Sequence, residues 1–244
     1  MASVVNASGL NLLAEIHTVT ATPVLCSFFS GIAGKIFAIF AKTFNIMPYL
    51  ILDLEMTGGE TGYHDIIQIG AVLANDDWKT LGEFESLVYP AHEENFTAAA
   101  EEVHGISLSD LEAAPMPYEA IENFENWIRK LLKRQPAASL TDIVVCGQSV
   151  INDINFLDQL YADQNVEWPF SYRLVDLMSL SVVFYQIFDA NKMPRPKSYS
   201  LKAVSAFFGL QREEDTHNAL EDAKLTYQCF KKYFELIPHL KYVP

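Results

Sequence analysis

The most informative pattern in the chain is a run of large apolar residues at positions 49–52 that leads directly into two acidic residues. The run is long enough for a buried strand and too short for a helix of its own. Asp53 and Glu55 follow with one residue between them, so strand alternation predicts that both side chains project from one face. Two like charges at the end of a buried strand repel each other, which favours a cation between them. The ordinary alternative is a strand that has simply reached solvent.

Hydrophobic periodicity along the rest of the domain predicts a regular series of strands and helices. The spacing of the first three strands indicates an antiparallel meander, and the later strands alternate with helices. This order predicts an α/β fold in which a mixed sheet has helices on both faces. After the opening strand, the predicted strands are 66–73, 78–89, 143–147 and 172–176, and the predicted helices are 98–104, 117–132, 151–161, 178–188, 200–208 and 218–236.

Residues 1–46 differ in composition from residues 47–244, so we predict an apolar N-terminal extension followed by one functional domain. The stretch 19–40 is long enough for a membrane helix, but Lys35 interrupts it and no basic residues precede it. Three interpretations remain open: an anchor or uncleaved signal, a helical extension packed on the domain or a partner, and a translated stretch outside the functional domain. Met47, which directly precedes the first strand, favours the last two over membrane attachment.

Charge and cysteine content narrow the classes of function. The formal net charge of −14 argues against a broad basic face that grips long nucleic acid, although short or single-stranded ends remain compatible because metal ions can supply positive charge. The chain has three cysteines and no CxxC or Cys/His cluster, so we expect reduced thiols in a cytoplasmic protein. Neither GxGxxG nor GxxxxGK[ST] is present, so no nucleotide cofactor is indicated.

Three further polar residues stand at the starts of predicted helices. Asp153 lies in the first turn of the helix that follows the fourth strand, where an acid also favours the helix dipole. His217 stands at the start of the last long helix, and Asp222 follows on that helix. Taken alone, His217 would more often be a surface or cap residue, and Asp222 an ordinary exposed acid.

Taken together and in this order, Asp53-x-Glu55, Asp153 and His217-x-x-x-x-Asp222 resemble the DEDDh family of 3′–5′ exonucleases. That family includes polymerase proofreading exonucleases, ribonuclease T and oligoribonuclease. The resemblance covers about residues 49–233 and implies a ribonuclease H-like fold. Further local similarities lie at 66–72, 103–106 and 200–209.

The resemblance also implies a mechanism. Two Mg²⁺ or Mn²⁺ ions would be held by Asp53, Glu55, Asp153 and Asp222, and His217 would take a proton from the attacking water. Nucleoside monophosphates would be removed from the 3′ end of single-stranded DNA or short RNA. Two metals suit phosphodiester hydrolysis because they activate water and stabilise the leaving 3′ oxygen. The sequence leaves the choice between DNA and RNA open.

Substrate contacts are expected from two segments of the chain. Backbone amides of the loop after the two acids, at Met56, Thr57 and Gly58, are expected to meet the terminal nucleotide. His104 and Ile106 belong to a segment that resembles the part of the family that packs beside the terminal bases.

A basic cluster, Lys192, Arg195 and Lys197, lies in a Pro-rich loop before the last motif. It has two interpretations, contact with backbone phosphates or a solvated loop. The sequence does not decide between them.

Some positions depart from the family pattern. Gln148 and Ser149 stand where His-Asn is expected before Asp153, and the loop 59–65 differs from both the oligoribonuclease and the proofreading groups. Two alternative functions therefore stay open. One is a proofreading-type subunit acting in a polymerase complex, and a polymerase or a second copy of the chain is a candidate partner. The other is a non-catalytic nucleic-acid-binding module, whose expected sign, loss of an acid or of the His, is not found.

Overall fold

The computed structural model describes residues 47–212 and 217–239. Within them, five strands form one sheet in the order β3-β2-β1-β4-β5. The first three strands are antiparallel neighbours, whereas β4 and β5 run parallel to β1. The strands are β1 Tyr49–Met56, β2 Ile66–Ala74, β3 Thr80–Leu87, β4 Val144–Gly147 and β5 Leu174–Asp176.

Helices account for most of the remaining described chain. Short 3₁₀ helices cover Glu93–Asn95, Leu108–Leu111 and Ile237–His239. The α-helices are α1 Ala98–His104, α2 Pro117–Leu131, α3 Ile151–Asp163, α4 Leu177–Ala190, α5 Leu201–Phe207 and α6 Ala219–Leu236.

The sheet separates two apolar cores, because side chains of a strand alternate between its faces. Leu50, Leu52 and Leu54 of β1 belong to the core that contains buried residues of α2 and α3. Ile51 belongs to the other core, which is built with α4, α5 and α6. Asp53 and Glu55 share the face of Ile51, so they project toward the side that carries α6.

The predicted mixed sheet with helices on both faces is confirmed. The third strand is shorter than predicted because Trp78 belongs to the preceding turn: its φ is +55°, and its ring stacks on Tyr49 with a centroid separation of 4.5 Å. The last strand is also shorter, because only Leu174–Asp176 pair with β4.

The predicted N-terminal extension, residues 1–46, lies outside the described residues. Among the residues described, no helix is long and apolar enough to cross a membrane.

Candidate active site

The register of β1 against β2 sets which residues lie opposite the two acids of β1. Asp53 lies opposite Gly70, and Glu55 lies opposite Gln68. Both β2 residues are directly involved in seating α6. A Cβ atom on Gly70 would lie 2.1 Å from the backbone carbonyl carbon of Ala219. Only a residue without a side chain therefore permits this approach of the helix to the sheet.

Polar contacts fix the same end of α6. The Gln68 side-chain oxygen accepts a hydrogen bond of 3.0 Å from the Ala219 backbone N–H. Asn218 is the N-cap, since its side-chain oxygen accepts from the Glu221 N–H at 3.0 Å. Its amide group donates to Glu85, which also accepts from Gln68. The first turn of α6 is thereby held against the part of β2 that pairs with Asp53 and Glu55.

The packing of α6 against β2 brings His217 and Asp222 close to Glu55 of β1. One ligand atom from each of Glu55, His217 and Asp222 lies within 4.8 Å of the other two. Nδ1 of His217 lies 3.3 Å from Oδ2 of Asp222. His217 is also tied to α1, because its backbone N–H donates to the Val103 carbonyl at 3.2 Å. The cap interpretation of His217 is wrong, since Asn218 provides the cap.

Asp153 reaches the end of β1 from the opposite direction. It lies in the first turn of α3 and is 7% exposed. Its Oδ1 accepts a hydrogen bond of 3.1 Å from the Leu54 backbone N–H, between the two acids of β1. The turn from β4 into α3 passes through Ser149 with φ of +55°, a region that β-carbon-bearing residues rarely adopt.

Burial raises the pKa values of all four carboxyl groups, and neighbouring acids of the cluster raise those of Asp53 and Glu55 further. Burial, followed by the charges of Asp153, Asp222 and Glu55, holds the pKa of Asp53 well above its usual range. Burial is also the main cause for Glu55 and Asp153, whose pKa values rise to about 7. Burial raises the pKa of Asp222, while Arg212 and His217 oppose the rise. The cluster is therefore deficient in positive charge.

Arg212 is the site residue that sequence reasoning missed. Its Nε lies 2.6 Å from Oδ1 of Asp222, and its Nη2 donates to Oδ2 at 2.7 Å. Nη2 also lies 3.5 Å from Nδ1 of His217. Together with burial, the first cause, the Arg212 charge lowers the pKa of His217. A sequence signal was present, since Arg212 is the sole Lys or Arg between Lys202 and Lys224.

Among the predicted substrate residues, Thr57 is committed to the protein itself. It is fully buried. Its N–H donates to the Asp65 carbonyl at 2.9 Å, and its hydroxyl accepts from the Asp65 N–H at 2.9 Å. The loop uses that amide to close on Asp65, and the nucleotide contact predicted for Thr57 stays a prediction. Gly58 lies directly under the His64 ring, which a Cβ atom would approach to 2.3 Å.

His104 and Ile106 form the turn at the end of α1. His104 is 5% exposed, and its Nδ1 accepts from the Ile106 N–H at 3.0 Å. Burial lowers the pKa of His104, which favours the neutral ring. Because Nδ1 accepts a hydrogen bond, the neutral ring carries its proton on Nε2. Because the neighbouring Val103 carbonyl binds the His217 N–H, this turn lies beside the acidic cluster.

In the basic cluster, Arg195 already has an acidic partner. Its Nε donates to both carboxylate oxygens of Asp189, at 2.9 and 3.0 Å, and its guanidinium lies 5.4 Å from the centre of the Tyr185 ring. Lys192 and Lys197 are exposed. Phosphate contact by this loop stays a prediction.

Comparison with known proteins decides the family. The sequence profile of the RNase_T family, described as an exonuclease, matches residues 50–230. The chain belongs to the RNase_T exonuclease family. The matched range includes every predicted acidic residue and His217. The predicted family and reaction class are therefore confirmed, and exonucleases of the DEDDh type are generally dependent on divalent metal ions.

The curated relatives are much longer proteins. The DNA polymerase III PolC-type of Thermotoga maritima is 26% identical over 198 residues, covering 80% of this chain and 12% of the relative. The 3′-5′ exonuclease DinG of Staphylococcus haemolyticus is 26% identical over 192 residues, covering 79% of this chain and 19% of the relative. This exonuclease domain thus spans less than a fifth of either relative.

Solved structures share the fold. The nuclease domain of 3′hExo, a DEDDh family member bound to rAMP, has a TM-score of 0.63 at 17% identity, covering 82% of this chain and 98% of that domain. Exonuclease I of E. coli in complex with a dT13 oligonucleotide has a TM-score of 0.64 at 16% identity, covering 79% of this chain and 42% of that protein. The ribonuclease H-like fold is confirmed.

The departure at Gln148 has a structural counterpart in this RNase_T domain. The Gln148 amide donates to the Tyr199 carbonyl at 3.0 Å, which links the end of β4 to the segment before α5. Gln148 precedes Asp153 by five residues. The Asp153 side chain still accepts its hydrogen bond from Leu54 of β1.

Proposed function

We propose that this domain is a divalent-metal-dependent 3′–5′ exonuclease that removes nucleoside monophosphates from the 3′ end of single-stranded DNA or short RNA. The observation that carries the proposal is the convergence of Asp53, Glu55, Asp153 and Asp222 at the end of β1, with His217 beside Asp222. Such a cluster of buried acids is unfavourable by itself, and membership of an exonuclease family gives it a chemical purpose.

The donor set fits hard divalent ions. Four carboxylates offer the oxygen ligands that Mg²⁺ and Mn²⁺ prefer. The raised pKa values of Asp53, Glu55 and Asp153 indicate an environment that lacks positive charge. In this proposal Asp53, Glu55, Asp153 and Asp222 hold two ions. When bound, two ions supply an activated water and stabilise the leaving 3′ oxygen.

His217 has the properties of a general base. Its side chain is 44% exposed, so solvent and substrate can reach it. Because burial and Arg212 lower its pKa, the ring is neutral near pH 7 and can accept a proton. Asp222 orients the ring through the 3.3 Å contact with Nδ1. We assign His217 the role of general base, which accepts a proton from the attacking water.

The remaining predicted contacts surround this centre. The backbone at Met56 and Gly58 is assigned to the terminal nucleotide, and the turn of His104 and Ile106 to the space beside the terminal bases. Thr57 supports the loop through Asp65.

The test is a cleavage assay on the full chain with 5′-labelled single-stranded DNA and short RNA, each with Mg²⁺, Mn²⁺ or EDTA. We expect a metal-dependent ladder of products that shorten from the 3′ end. The nucleic acid that is cleaved faster, DNA or RNA, is the preferred substrate. Asp153→Asn is the inactive control. Absence of cleavage on both substrates with either metal would contradict the proposal.

A second candidate is a proofreading-type exonuclease that serves a polymerase. The similarity to the PolC-type polymerase, of which this chain spans 12%, favours it. Weak activity of the isolated chain together with co-purification of a polymerase from its source would support this candidate. A self-associated chain with full activity would instead favour the homodimer. The non-catalytic binding module predicts nucleic-acid binding without cleavage.

A further inference from the structure

Arg212 binds a carboxylate, that of Asp222, which is also one of the four proposed metal ligands. Its guanidinium engages both oxygens of Asp222, with separations of 2.6 and 2.7 Å. The Nη2–Oδ2 contact is a hydrogen bond, whereas the Nε–Oδ1 contact is a close ion pair without hydrogen-bond geometry. A charge-assisted contact of this kind is stronger than a hydrogen bond between neutral groups. The Asp222 side chain is only 4% exposed, so its carboxylate is shielded from water, whereas the Arg212 side chain is 22% exposed. A divalent ion bound to the same carboxylate would stand close to the guanidinium, and the two positive charges would repel each other.

The charge of Arg212 also extends beyond Asp222. It acts on Asp53 and on Glu55, opposing the rise in their pKa that burial causes. Arg212 therefore compensates several acids at once, which is the electrostatic task of a metal ion in such a cluster.

A second acidic partner for Arg212 is adjacent. Arg212 and Glu221 line one pocket, which Lys224 of α6 also lines. In the described part of the chain, Oε2 of Glu221 is buried and has no hydrogen-bond partner. A buried carboxylate oxygen without a donor is unfavourable. Arg212 itself belongs to no helix or strand, so its backbone is not fixed by a regular element.

We propose that Arg212 is a built-in cation that competes with metal for Asp222: it holds the acidic cluster together without metal, and moves to Glu221 when an ion binds. This inference rests on the proposed metal site. Its consequence is a metal affinity lower than the four carboxylates alone would give, because binding requires the Arg212–Asp222 pair to break.

The test is calorimetric titration of the full chain with Mn²⁺ in the absence of nucleic acid. We expect Arg212→Gln to bind Mn²⁺ about tenfold more tightly than the wild type, since the competing cation is gone. Glu221→Gln should bind more weakly than the wild type, because the displaced arginine loses its second partner. Unchanged or weaker binding by Arg212→Gln would overturn the proposal.

Arg134 provides a matched control. It also contacts both oxygens of an aspartate, Asp142, at 2.7 and 2.6 Å, and its side chain is 21% exposed against 22% for Arg212. Arg134→Gln should leave Mn²⁺ binding unchanged. If the wild type itself binds no Mn²⁺, the proposed metal site fails as well. If the wild type binds and Arg212→Gln gains nothing, this inference alone fails.

Thermal unfolding supplies an independent measurement. In EDTA, Arg212→Gln should unfold at a lower temperature than the wild type, because the acids lose their counter-charge. Saturating Mn²⁺ should shift its midpoint upward by more than it shifts the wild type. A purely structural role predicts equal shifts. If Arg212→Gln does not fold in EDTA, Arg212→Lys, which keeps the charge and loses the planar guanidinium, should still bind Mn²⁺ more tightly than the wild type.

Discussion

The two faces of β1 are built on opposite physical principles, although they belong to the same eight residues. On one face, Leu50, Leu52 and Leu54 are at most 5% exposed and pack into an apolar core. On the other face, Ile51 continues the second core, but Glu55 brings a carboxylate to a buried position and Asp53 brings one to a half-buried position. The first face stabilises the strand by removing apolar surface from water. The second face offsets that stability with charges that repel each other.

The acids therefore take their position from the elements packed around them and do not themselves stabilise the strand. The packing of β2 against α6 uses contacts that do not involve these charges, whereas Asp153 also accepts a hydrogen bond from Leu54 and Asp222 also pairs with Arg212. The register partners Gly70 and Gln68 illustrate this, since they seat α6 without touching a carboxylate of the cluster. Perturbing either face should therefore have separable effects on stability and on catalysis.

The largest expected separation between an effect on catalysis and an effect on stability comes from comparing Asp153→Asn with Leu52→Ala. Asp153→Asn should reduce cleavage below detection, while the metal-free stability stays equal or increases because one repelling charge is removed. Leu52→Ala should cost about 2–5 kcal/mol of unfolding free energy and leave the turnover of folded molecules unchanged. The measurements are the cleavage assay and urea unfolding in EDTA. Wild-type turnover by Asp153→Asn would remove the metal assignment.

The next effect tests the proton acceptor. His217→Ala should lower the cleavage rate by about 10²–10⁴-fold, the usual contribution of general acid–base catalysis, while Mn²⁺ binding persists. His92→Ala is a suitable control, because that exposed histidine also contacts an aspartate, at 3.2 Å from Asp65. Single-turnover kinetics at saturating metal measure both variants. An unchanged rate for His217→Ala would show that it is a contact residue and not the base.

A smaller effect concerns the seat of α6. Gly70→Ala places its Cβ against the backbone of Ala219, so the helix must shift; we expect a loss of about 1–3 kcal/mol and a rate reduction of about 10²-fold from misplacement of Asp222. Gly82→Ala meets only the tip of Leu131, at 2.6 Å, which can rotate away. It should retain full activity. Equal activity losses in the two variants would argue against a specific role for the helix seat.

The most gradual effect is the pH dependence of the metal-free domain. The folded-state pKa values of Glu55 and Asp153 are raised to about 7, so the folded state binds protons more tightly than the unfolded state. Their contribution to stability is complete below the ordinary carboxyl pKa and is lost as the pH rises through about 7. Unfolding midpoints in EDTA should therefore fall between pH 5 and pH 8. Glu55→Gln should flatten this slope, and an unaltered slope would show that Glu55 is not among its causes.

Much of the fold followed from local pattern. The order and type of the elements were predictable because strands and helices impose different periods on apolar residues. The same rule predicted that Asp53 and Glu55 share a face. The exceptions were local packing effects: Trp78 was assigned to a strand, but its ring stacks on Tyr49 and its backbone turns with positive φ.

The candidate site likewise has features that were predictable from the sequence and features that were not. Sequence pattern was enough to predict which residue types stand at the ends of β1 and β4 and at the start of α6. The resemblance carried by Asp53, Glu55, Asp153, His217 and Asp222 identified the family. The closure of the Thr57 loop on Asp65 and the pairing of Arg212 with Asp222 became visible in the folded chain alone. Those contacts depend on how separate segments pack in space. A sequence period describes one segment at a time, so it cannot specify which charge from another segment will reach a carboxylate.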